Sequence, residues 1–165
     1  MRDKTNNNVL IAYHSFSGNT KEVAEIISKE FDRSGVGYDT YVIPLHRNAK
    51  VIDLSPYDHV LIGTFTWGKG EAPDGLKRFY IDHIEELRNT NVYYFGSGDT
   101  QFGGDDLFCS ALDVLNDKVP SSAPLLKVEQ SPRGTQEADV TEWAASIDLN
   151  VFKHELTKNN VKESD

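Results

Sequence analysis

Three short runs in this chain are apolar at nearly every position: Val9-Leu10-Ile11-Ala12-Tyr13, Val60-Leu61-Ile62-Gly63-Thr64 behind a polar start at Asp58-His59, and Val92-Tyr93-Tyr94-Phe95-Gly96. A strand with one face in water alternates apolar and polar residues. Runs without alternation belong to strands covered on both faces, as in a parallel sheet. Segments of helical period lie between them. Val23, Ile26, Ile27 and Phe31 share one face of a helix that starts after Gly18 and ends at Ser34-Gly35-Val36-Gly37. Pro73, read as a first helical residue, opens a helix with the stripe Leu76, Phe79, Tyr80, Ile84 and Leu87. Leu107, Phe108, Ala111, Leu112 and Leu115 mark a third helix, and Val140, Trp143, Ala144, Ile147 and Val151 a last one. Tyr38–Ile43 alternates and stops at Pro44, as an edge strand does, and Leu125–Val128 is the last strand. The order β-α-β-β-α-β-α-β-α predicts an α/β fold with a parallel sheet between two layers of helices. Residues 44–57 show no helical pattern, so a short or irregular crossover is expected there.

The length of 165 residues suits one domain with a real core. No shift in composition divides it, so a single domain over 1–165 is expected, with polar, flexible tails at 1–8 and from about 157 onward. The net charge of −9 argues against general nucleic-acid binding, which needs a basic footprint. An acidic surface would steer the chain toward basic partners, although solubility alone accounts for the same charge. One cysteine, Cys109, allows no internal disulfide and reads as a packing residue. No apolar run approaches the length of a membrane helix and no signal peptide opens the chain, so a cytoplasmic protein is expected. His14, His46, His59, His83 and His154 are scattered and form no metal-ligand pattern.

In an open parallel sheet, ligands bind beyond the carboxyl ends of the strands. Three loops of unusual composition leave that edge. The first, Ser15-Phe16-Ser17-Gly18-Asn19-Thr20, places hydroxyls, an amide and a glycine between a strand and a helix start, which suits an anion such as a terminal phosphate. A helix N-cap with spare hydroxyls has the same letters. The second, Thr64-Phe65-Thr66-Trp67-Gly68-Lys69-Gly70-Glu71, sets a tryptophan among glycines, where its indole could cover a flat aromatic ligand or pack back on the domain. The third runs from Gly96-Ser97-Gly98-Asp99 through Phe102 to Gly103-Gly104-Asp105-Asp106. It is rich in backbone donors, and Phe102 serves equally well as a second stacking ring or as a loop anchor.

The motifs at 15–20, 64–71 and 96–99, in this order and spacing, make the chain resemble the flavodoxin family, of the short-chain type, from about Val9 to Val151. The resemblance implies a flavodoxin-like three-layer sandwich with a five-stranded parallel sheet of order 2-1-3-4-5 and bound FMN. Ser15, Phe16, Ser17, Gly18, Asn19 and Thr20 would hold the phosphate. Thr64, Phe65, Thr66, Trp67, Gly68, Lys69 and Gly70 would line the isoalloxazine, with Trp67 on one face. Ser97, Gly98 and Asp99 would meet the pyrimidine edge, and Phe102, with Gly103 and Asp106 nearby, the other face. Phe102 stands where a tyrosine is common, Lys69 where an acid is common, and Gly103 to Asp106 lengthen the third loop.

The resemblance further implies a low-potential one-electron carrier and not an enzyme, a monomer exchanging electrons with a flavodoxin reductase and an acceptor redox enzyme. Its reduced flavin would be an anion, disfavoured by apolar walls and by Glu71, Asp99, Asp105 and Asp106. Other readings are a flavodoxin-like activator of a dimanganese ribonucleotide reductase and an FMN-dependent quinone reductase. A receiver-like signalling domain would need an acidic phosphoacceptor where Thr64 stands.

Overall fold

The apolar runs become the middle of a sheet. A computed structural model describes residues 8–14, 18–44, 52–65, 73–98, 110–129 and 132–149. In chain order the elements are β1 (Val9–Tyr13), α1 (Asn19–Ser34), β2 (Tyr38–Val42), β3 (His59–Phe65), α2 (Asp74–Arg88), β4 (Asn91–Gly98), α3 (Ser110–Lys118), β5 (Leu126–Glu129) and α4 (Thr135–Ser146). The five strands pair in the order β2-β1-β3-β4-β5, and every pair is parallel. This is the expected flavodoxin-like sheet.

Alternation along the central strands divides the core into two layers. Leu10, Ala12, Val60, Ile62, Val92 and Tyr94 pack with Leu76, Phe79, Tyr80 and Leu87 of α2 and with Ala111, Leu112 and Leu115 of α3. Val9, Ile11, Leu61, Tyr93 and Phe95 pack on the opposite face with Val23, Ala24, Ile27 and Phe31 of α1 and with Val140, Trp143 and Ala144 of α4. Burying one such side chain contributes about 2 kcal/mol, which is why the helices cover both faces. Edge strand β2 has no buried residue, in keeping with its alternating sequence.

Polar groups tie the layers together. Tyr94 donates its hydroxyl to the Val119 carbonyl at 2.7 Å, and Tyr80 donates to the Leu115 carbonyl at 2.8 Å. These carbonyls lie at the C-terminal end of α3, where intrahelical donors run out. Burial raises both phenols above the usual tyrosine value. Trp143 Nε1 donates to the Pro124 carbonyl at 2.7 Å, which pins α4 beside β5. The Ser34-Gly35 stop of α1 is a double cap: Val36 N–H reaches the Phe31 carbonyl at 2.8 Å and Gly35 N–H the Asp32 carbonyl at 3.3 Å.

Several boundaries move. Pro73 is the N-cap of α2 and not its first helical residue, with an extended ψ of 148° that a helical residue could not have. The last helix stops at Ser146, because Ile147 is extended; Ile147 still packs in the core, and Val151 lies outside the described residues. Strands β3 and β4 run further than their apolar runs. Phe65 pairs with Ser97, and Gly98 with Glu129, so these sheet-edge residues are strand and not loop. The β2-to-β3 crossover has no helix in 52–58; an Asp53 side chain accepting the Ser55 amide at 3.0 Å makes its turn, and Leu54 beside it is buried.

Gly63 and Phe95 are register partners on one face of β3 and β4. A Cβ on Gly63 would lie 2.2 Å from two atoms of the Phe95 ring, so the ring occupies the space a side chain would take. Gly63→Ala should cost about 2 kcal/mol through overpacking, read as a lower urea midpoint. Combining it with Phe95→Leu should be less costly than the sum of the two changes. Strict additivity would contradict this packing.

Candidate functional site

Because the strands are parallel, the segments after β1, β3 and β4 leave one edge of the sheet. The chain goes from β1 outward to β2 and returns to β3 on the other side of β1. Winding therefore reverses between β1 and β3, the place where open α/β sheets accept ligands.

At this edge α1 begins with Gly18 as its N-cap, in a left-handed conformation with φ of 93°. Glycine takes that conformation without a Cβ penalty. The cap position is held by glycine, so the reading of the hydroxyls as N-cap residues fails for the cap itself. Glu22 N–H bonds the Gly18 carbonyl at 3.0 Å, and the positive end of the helix dipole faces the edge.

Thr20, in the first turn of α1, lies against β4. Its hydroxyl is 2.8 Å from that of Ser97, and both residues are buried. Thr64, also buried, donates its hydroxyl to the carbonyl of Phe65 at 2.9 Å, so it shapes the chain as it leaves β3. Gly98 closes β4. Ser15, Phe16, Ser17, Thr66, Trp67, Gly68, Lys69, Gly70, Asp99, Phe102, Gly103 and Asp106 lie outside the described residues, as does Cys109. Among the site residues expected from sequence, the structure thus brings together Gly18, Asn19, Thr20, Thr64, Phe65, Ser97 and Gly98 at one edge.

Sequence reasoning assigned His14 no role. Its backbone N–H extends the β1–β3 ladder to the Gly63 carbonyl at 2.9 Å. The ring is buried, stacks on Phe65 with centroids 5.5 Å apart, and has Nδ1 3.0 Å from the Ile43 carbonyl. A carbonyl only accepts, so Nδ1 carries the proton. A Cβ on Gly75 would meet His14 Cε1 at 2.9 Å and the Pro44 carbonyl at 2.6 Å. His14 is thus wedged between the ends of β1, β2 and β3 and the start of α2, one residue before the hydroxyl loop. A histidine directly after a buried strand was the only sequence signal for it.

Among the described residues no three His, Cys, Asp or Glu side chains gather as metal ligands, and no helix is long and apolar enough to cross a membrane. The profile of the family described as Flavodoxin matches residues 11–143. The chain belongs to the flavodoxin family. It is 30% identical over 142 residues to a probable flavodoxin 2 of Bacillus subtilis (strain 168), covering 80% of this chain and 88% of that one. The fold is similar to that of oxidised flavodoxin 2 from Bacillus cereus, with a TM-score of 0.66, 28% identity, and coverage of 84% of this chain and 95% of the other. It is also similar to a Streptococcus pneumonia TIGR4 flavodoxin, with a TM-score of 0.69, 25% identity, and coverage of 87% and 99%.

Flavodoxins are electron-transfer proteins that carry electrons on FMN, and this chain is such a carrier. The residues present fit that cofactor. A helix N-terminus opened by a left-handed glycine suits a phosphate, and the start of the tryptophan loop leaves β3 on the same edge.

His14 makes this edge sensitive to acid. Burial holds its imidazole below the ordinary value of 6.5, and the bond to the Ile43 carbonyl offsets only part of that. His59 shifts the same way: it is buried with Nε2 3.1 Å from the Leu149 carbonyl and Nδ1 3.0 Å from the Tyr93 hydroxyl. For both, the unfolded chain binds the proton more readily. Their contribution to stability is complete above pH 6.5 and is lost as pH falls through the folded values. The urea midpoint should fall between pH 7 and 5.5, and His14→Asn or His59→Asn should each remove part of that fall. A fall of unchanged size in both variants would place the acid sensitivity elsewhere.

Proposed function

We propose that this protein is a low-potential one-electron carrier, working in the cytoplasm as a monomer. It takes electrons from a flavodoxin reductase and delivers them to an acceptor redox enzyme. The observation that carries the reading is the convergence on one sheet edge of Gly18 and Thr20 at the start of α1, Phe65 at the end of β3, and Ser97 and Gly98 at the end of β4. The FMN phosphate belongs with Ser15, Ser17, Asn19 and Thr20, and the isoalloxazine with Trp67 and Phe102. Ser97, Gly98 and Asp99 would meet its pyrimidine edge, Ser97 through its backbone because its side chain is turned to Thr20, and Thr66, Gly68, Lys69 and Gly70 would complete the wall. FMN supplies the redox chemistry; the chain binds it, orients it and excludes water from it.

Partner choice follows from charge. With a net charge of −9, the protein suits partners with basic faces. Attraction between opposite charges speeds encounter, and salt screens it over about 10 Å at 0.1 M. Stopped-flow reduction of the FMN-loaded protein by an NADPH-dependent flavodoxin reductase should therefore slow as ionic strength rises from 10 mM to 150 mM. Without the reductase, NADPH and a quinone should show no rapid steady-state turnover. A rate that is flat or rising with salt would contradict the basic-partner reading. Rapid quinone reduction by the protein alone would replace the carrier with a quinone reductase.

A further inference from the structure

Two hydroxyls from distant parts of the chain meet where α1 begins. Thr20 lies in the first turn of α1 and Ser97 near the end of β4, 77 residues later. Tyr93 and Phe95 face the α1 layer, and strand alternation turns Ser97 the same way. The hydroxyl oxygens are 2.8 Å apart, with Thr20 1% and Ser97 3% exposed. Water therefore does not compete for the contact.

We propose that Ser97 is a positioning residue for the cofactor phosphate, acting through Thr20. The proposal rests on the FMN reading above and deepens it. A hydroxyl has one proton to give and two lone pairs to offer. The 2.8 Å contact is made by one proton, which either oxygen can supply. A phosphate anion accepts and has no need of a lone pair. If Thr20 spends its proton on Ser97, it turns only lone pairs toward the anion. If Ser97 supplies the proton, Thr20 is left free to donate its own to the phosphate. The anion therefore selects one polarity, from Ser97 to Thr20 to phosphate, and each bond in such a chain strengthens the next where water is excluded. Riboflavin has no phosphate and makes no such demand. A residue of β4 that need not touch the phosphate thus sets part of the preference for FMN over riboflavin.

The test is the dissociation constants of FMN and of riboflavin, read by flavin fluorescence quenching on the full chain and on Ser97→Ala, Thr20→Val and the double variant. Ser97→Ala should reduce the FMN-over-riboflavin preference by about threefold to tenfold, the range of one hydrogen bond. Any loss of riboflavin affinity should be smaller than the loss for FMN. Thr20→Val should reduce the preference at least as much, and adding Ser97→Ala to it should reduce it no further. If the alanine variant is poorly folded by urea denaturation, Ser97→Cys, whose S–H is a weaker donor, should show the same ordering. Equal weakening of both flavins would move Ser97 to the flavin ring or the sheet edge. Independent, multiplying losses in the double variant would make Ser97 a separate contact; either result overturns the proposal. An unaltered preference in Ser97→Ala would overturn it while leaving the FMN reading intact. Equal affinity of the unaltered chain for both flavins would overturn that reading as well.

Discussion

 The pairing of β1 with β3 is the contact on which the rest of the molecule depends. Five register pairs, from Val9 with His59 to Tyr13 with Gly63, join residues 50 apart in the chain and hold the two strands in the middle of the sheet. Winding reverses across this pair, so α1 and α4 cover one face and α2 and α3 the other. The same reversal opens the edge where the segments after β1 and β3 part, and β4 joins them there by its own pairing with β3. The position of the site is thus a consequence of sheet topology, and its chemistry of the residues that happen to end these strands.

A sheet buried on both faces leaves little room for polar side chains, and those it contains are partnered. Among the described residues no buried side-chain nitrogen or oxygen lacks a hydrogen bond. At the amino edge of the sheet His59 joins Tyr93 to the Leu149 carbonyl, and Tyr80 and Tyr94 close the end of α3. At the carboxyl edge His14 holds the Ile43 carbonyl and Thr20 meets Ser97. An unpaired buried group would cost about 1–3 kcal/mol, so each of these contacts fixes the geometry of the elements it joins. At the carboxyl edge that rigidity serves binding, because a preorganised site spends less of its interaction energy on ordering itself.

The strands were legible because burial on both faces leaves continuous apolar runs; their order was implied by the resemblance of the three loop motifs to the flavodoxin family. Strand ends were less legible. Phe65, Ser97 and Gly98 look like loop residues, yet pairing with a neighbouring strand carries the ladder through them. Pro73 fits a cap as well as a first helical turn, and only its backbone angles distinguish the two. The candidate site was legible as three segments on one edge. The contacts within it were not: nothing local to Thr20 names Ser97 as its partner, and nothing local to His14 names Ile43, Phe65 or Gly75. Such contacts depend on the packing of distant elements, which no sequence window contains.

The central claim is that this fold holds FMN so that its two electrons pass singly, the second at low potential. Anaerobic reductive titration of the FMN-loaded protein, followed by its visible spectrum against indicator dyes of known potential, tests it most directly. The account predicts two separated one-electron steps, with a long-lived blue one-electron-reduced form between them and a second step well below the potential of free FMN. A single two-electron step at the potential of free FMN, with no blue form at any point, would contradict it.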